Sequence, residues 1–68
     1  MAKTRKVADV QESGRHFSVV KHAYAEKPYY VYEHGISWTD EGYFRSTRNL
    51  LVKCDHIKIA LAFITNQF

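Results

Sequence analysis

Four histidines and a single cysteine are the residues of this chain whose types invite chemistry. A metal centre needs ligands that converge on one point, and the spacing here works against that. Cys54 and His56 stand two apart, which on a helix sends them to different sides. His16 and His22 share a strand face but lie too far apart along it to chelate one ion. No C-x-x-C or H-x-x-x-H pair occurs. No metal and no cofactor are expected. Catalysis needs a nucleophile beside a base, or paired carboxylates. The acids Asp9, Glu12, Glu26, Glu33, Asp40, Glu41 and Asp55 fall mostly in turns and at element ends. The three glycines each suit a turn or bulge, and none belongs to a phosphate-cradling loop. A domain this small has little room for an enclosed pocket. The chain is expected to be neither an enzyme nor a binder of small-molecule substrates.

Binding chemistry is better represented. Lys3, Arg5 and Lys6 make a basic N-terminal run, and Lys21 and Arg45 lie among aromatic residues further on. Tyr30, Tyr32 and Trp38 sit an even number of residues apart, which places them on one side of a strand. Aromatic rings stack on unpaired bases while cations meet phosphates. These eight residues are the candidates for a nucleic-acid interface. The net charge of +3 and a pI of about 9.2 fit such a partner, and equally an acidic protein surface.

The elements that would position them follow from pattern and turn chemistry. Arg15 to Tyr24 reads as a strand, and Ala25–Pro28 as a turn that proline closes. Tyr29 to His34, YYVYEH, is a second strand, which Ile36 to Trp38 extends beyond a bulge or break at Gly35. Thr39–Gly42 is a turn, and Tyr43 to Ser46 a third strand. From Thr47 the residues Leu50, Cys54, Ile57, Leu61 and Ile64 recur at steps of four and three, the spacing of a helix running to about Asn66. Asp55 could instead open a second helix after a break near Lys53. The expected fold is α+β, a three-stranded antiparallel meander with one C-terminal helix packed on the sheet (β-β-β-α). Residues 1–14 form a basic arm and residues 15–68 the single domain. Within the arm, Val7, Ala8 and Val10 offer a short apolar edge that Ser13-Gly14 breaks.

Four-residue turns would set Tyr24 opposite Tyr29 and Trp38 opposite Tyr43. One sheet face then carries Val20, His22, Tyr24, Tyr29, Val31 and Phe44. The other carries Phe17, Val19, Lys21, Tyr30, Tyr32, His34, Ile36, Trp38, Tyr43 and Arg45. The first face is taken as the core, because small residues there let a helix approach. The second is then an exposed aromatic–basic surface. With the faces swapped, its aromatics are simply the core.

On the long helix, Val52, Ile59 and Phe63 cluster on the side away from the stripe. Either the N-terminal segment or a change of helix phase accounts for them, or they form a protein interface. The alternative to nucleic-acid binding is accordingly a protein-binding regulator, adaptor or inhibitor, with homodimerisation through this helix as one form of it. No apolar run reaches the ~18 residues of a membrane span, and MAKTRK lacks the apolar core of a signal peptide. A lone cysteine permits no internal disulfide. A cytoplasmic protein without membrane contact is expected.

Overall fold

The computed structural model describes residues 3–68 and places four strands and one helix in the order β1 (Thr4–Glu12), β2 (Arg15–His22), β3 (Tyr29–Trp38), β4 (Phe44–Cys54) and α1 (Ile57–Thr65). The strands form one antiparallel sheet in the order β1-β2-β3-β4. The α+β class stands, but the three-stranded β-β-β-α arrangement does not. Two further lengths of chain are strand: the apolar edge of the basic arm becomes β1, and the first half of the expected long helix extends the expected third strand, Tyr43 to Ser46, into the longer β4.

The physical reason for β4 lies in the spacing. Leu50 and Cys54 are four apart, and a step of four returns to roughly the same side of both a helix and a strand. Only the step of three from Cys54 to Ile57 distinguishes the two, and the strand ends there. β3 is ten residues long and rich in Tyr, Val and Ile, and the eleven-residue β4 pairs along its whole length. A bulge at Leu51 then reverses the phase. Leu50 pairs with Tyr32 on one face, whereas Val52 and Cys54 pair with Val31 and Tyr29 on the other.

α1 is short because β4 takes the chain as far as Cys54, which leaves only Ile57–Thr65 for the helix. His56 takes the N-cap position with no side-chain cap bond, while its carbonyl accepts from the Ile59 and Ala60 amides. The helix ends at the expected Asn66, whose amide donates to the Ala62 carbonyl. It lies over β2, β3 and β4. The core beneath it is Phe17, Val19, Val31, Cys54, Ala60 and Ile64, with Val7, Ala8, Val10, Tyr29, Val52, Ile57 and Phe63 packed around them. Burial holds the Cys54 thiol above its ordinary pKa, and the Asp55 carboxylate adds to the effect.

The β1–β2 hairpin turns on Ser13 and Gly14, both at positive φ (53° and 77°), as a two-residue turn between right-twisted strands demands. The β2–β3 link is longer than a four-residue turn. β2 stops at His22, whose amide donates to the Pro28 carbonyl, so Lys21 and not Tyr24 faces Tyr29. That is an odd-numbered slip, and it exchanges the two faces of β2 relative to β3. Phe17 and Val19 are buried with Val31, while Val20 and His22 turn to the side of Tyr30. The expectation that Val20 and His22 belong to the core is therefore corrected. At the β3–β4 turn Trp38 faces Phe44 rather than Tyr43, which moves Phe44 out of the expected core as well.

Candidate nucleic-acid interface

One helix cannot cover both faces of a four-stranded sheet. The face opposite α1 is built from alternate residues of every strand. β2 contributes His16, Ser18, Val20 and His22, and β3 contributes Tyr30, Tyr32, His34, Ile36 and Trp38. β4 adds Phe44, Ser46, Arg48, Leu50 and Lys53, and β1 adds Lys6, Asp9 and Gln11.

Neighbouring rings on this face pack against each other. His22 stacks on Tyr30 at 3.8 Å between centroids, and Tyr30 lies 6.4 Å from Tyr32. His16 stacks on His34 at 4.4 Å, and Trp38 meets Phe44 at 3.8 Å. Two cations are held over these rings: the Arg48 guanidinium 4.4 Å from Tyr32 and the Lys53 ammonium 4.9 Å from Tyr30. From Tyr30 to Trp38 the strip runs about 26 Å along β3. A base can stack on the guanidinium plane or on a ring, while the cation reaches a phosphate.

The charges are sorted between the two faces. Asp9 is the one acid among the open-face strand residues, and it is already engaged. It accepts from His16 Nε2 and lies 3.7 Å from Lys6 Nζ. The bond from His16 is the main reason its carboxyl sits below the usual range. Glu33 belongs to the helix side, where Arg15 donates to both its oxygens at 2.9 Å. That pairing lowers the Glu33 pKa and raises that of Arg15.

Ser18 and His34 are 2.7 Å apart, Oγ to Nε2. The pair resembles a nucleophile and its base, but Ser18 is buried beneath the ring and the acid at hand, Asp9, bonds His16 instead. Burial first, and the charge of His16 second, depress the His34 pKa. Among the described residues no three ligand side chains gather where they could hold a metal ion.

The eight residues expected from the sequence separate. Tyr30, Tyr32, Trp38 and Lys6 stand on the open face. Lys21 pairs with Tyr29 and holds its ammonium 5.8 Å from that ring, on the helix side. Arg5 faces Lys21, and Arg45 faces Ser37, both out of phase with the aromatic strip. Lys3 sits at the end of β1, 5.5 Å over Tyr24. Of the three expected protein-interface residues, Val52 and Phe63 are half-buried against the core, and Ile59 alone is exposed. Arg48 and Lys53 were hidden by their assignment to a helix. The signal that could have found Arg48 is the alternation Phe44, Ser46, Arg48, Leu50 against Arg45, Thr47, Asn49.

Comparison with protein-family models, with curated proteins and with solved structures finds no match, so geometry alone carries the functional reading. Among the described residues no helix is long and apolar enough to cross a membrane.

Proposed function

We propose that this protein is a non-enzymatic nucleic-acid-binding module that holds unpaired strands on its open sheet face. The observation that carries the reading is the pairing of Arg48 with Tyr32 and of Lys53 with Tyr30, on a face whose one acid is already engaged. Stacking supplies sequence-tolerant affinity, and the cations supply the salt-dependent part. A polyanion fits this face better than an apolar protein surface, because burying Arg48 and Lys53 against such a surface would strand two charges whose contacts are rings and not carboxylates. The same charges oppose face-to-face association of two copies.

The test is fluorescence anisotropy with labelled single-stranded and duplex oligonucleotides of equal length, titrated at several salt concentrations. Single strands are expected to bind more tightly than duplex, with affinity falling steeply as salt rises. Absence of binding, or binding indifferent to salt, overturns the reading.

A further inference from the structure

The sheet has three free edges, and they are not alike. β1 is edged by Lys6, Asp9 and Glu12 and is bulged at Val7. β4 carries Arg45, Arg48 and Lys53 and is bulged at Leu51. Charges and bulges of this kind keep an edge strand from pairing with another chain. The third edge arises because β2 is shorter than β3. Pairing of β2 with β3 stops at His16 and His34, whereas β3 and β4 continue together to Trp38 and Phe44. Among the described residues, the β2 side of β3 beyond His34 is therefore unpaired, and the residues on it are Gly35, Ile36, Ser37 and Trp38. None is charged, none is proline, and no bulge interrupts them. Ile36 is 71 % exposed and Trp38 65 %.

We infer that this stretch is the seam of a homodimer, in which β3 of one copy pairs antiparallel with β3 of a second. Opposite residues in a sheet share a face, so a twofold axis normal to the sheet requires a residue to meet its own counterpart. Centring the axis on Ser37 sets Ile36 against Trp38 of the second copy, an aromatic–β-branched pair. It also carries the β3–β4 turn of the second copy towards the end of β2, where a cleft of about 540 Å³ is lined by Gly14, His16, His34, Gly35, Ile36 and Thr47 among others.

The chain exposes 5302 Å², about 850 Å² more than the ~4,450 Å² of a compact monomer of 8.0 kDa. Its shape, a slab of 40 × 32 × 15 Å, has the protruding ribbon as one source of that excess. In the dimer both open faces point the same way and their aromatic strips join end to end.

Light scattering of the full chain without nucleic acid tests this apart from the proposed function. The expected mass is twice 8.0 kDa in the micromolar range. Ser37 is exposed, so Ser37→Glu and Ser37→Lys are expected to keep the circular dichroism of the native fold. Each places like charges opposite one another and should give a single-chain mass, and mixing the two should restore the dimer. A native chain that stays single across that range overturns the inference. So does either variant keeping the dimer mass, or a mixture that stays single.

Discussion

The Arg48 guanidinium carbon lies 4.4 Å from the centroid of the Tyr32 ring, one strand away and on the same open face. The ring holds the cation where it is needed before any ligand arrives, so less side-chain freedom remains to be lost on binding. Arg48→Ala and Lys53→Ala should each weaken single-strand binding and lower the slope of log affinity against log salt by about 0.7. Arg45→Ala, out of phase with the strip, should leave that slope nearly unchanged. Anisotropy titrations at several salt concentrations measure all three. Equal losses from Arg45 and Arg48 would show that charge alone, not the face, governs binding.

Trp38 is the one tryptophan of the chain, so its fluorescence reports on the end of the strip without labelling. It meets Phe44 in a tilted contact and remains largely exposed. Adding a single-stranded oligonucleotide should quench its emission in step with binding. Tyr32→Ala should cost about 1–3 kcal/mol of affinity, the usual worth of one stacked base. Unchanged emission at saturation would place the ligand elsewhere.

Acidification should act on fold and binding in opposite directions. The His34 pKa is depressed, so the folded state takes up its proton later than the unfolded chain does. Stability is then full above the unfolded value of about 6.5 and declines as pH falls from there to the folded value. His34→Gln should flatten this part of the profile, read by urea melts between neutral and mildly acidic pH. As pH falls through the folded value of His34, its protonation adds positive charge to the open face, so single-strand affinity should rise. A binding profile flat with pH would remove His34 from the interface.

Much of β3 was legible in the sequence. YYVYEH alternates so regularly that Tyr30, Tyr32, His34, Ile36 and Trp38 fall on one face whatever the neighbours do. Ser13-Gly14, the turn before Tyr43 and the helix end at Asn66 were also legible, because each depends on local chemistry. Register across a loop does not. The slip from Tyr24 to Lys21 opposite Tyr29 is set by where β2 stops, and it decided whether Phe17 or Val20 was core. β1 was obscured because its charges suit an edge strand as well as a solvated arm. Arg48 was obscured because the four- and three-residue spacing from Leu50 onward reads as a helix, and Lys53 because a bulge at Leu51 breaks the strand period before it.

The core is thin, and that makes Ile64 a sensitive probe. It is among the largest fully buried side chains, and with Ala60 it is one of two buried residues of α1. Ile64→Ala should destabilise the chain by about 2–5 kcal/mol, a large share of what so small a domain possesses. Ile59→Ala, on the exposed side of the same helix, should cost far less. Denaturant melts followed by circular dichroism give both values.

Arg15 ties the last residues to the sheet. Beyond its two bonds to Glu33, its Nη1 donates at 2.9 Å to the Gln67 carbonyl, and its guanidinium lies 4.8 Å over Phe17, which Phe68 meets edge-on at 5.6 Å. Replacing Glu33 by Gln keeps the shape but removes the charge that orients the fork. The amides of residues 65–68 should then exchange faster with deuterium while those of β2 and β3 keep their protection. Acid should produce the same loosening in the native chain. The Glu33 pKa is lowered by Arg15, so this contribution is present above the unfolded carboxyl value and is lost as pH falls through the lower, folded one. In Glu33→Gln that acid-dependent loosening should be absent. An exchange pattern identical in the two proteins at every pH would show that packing of Ile64 and Phe68, not the Arg15 latch, holds the C-terminus in place.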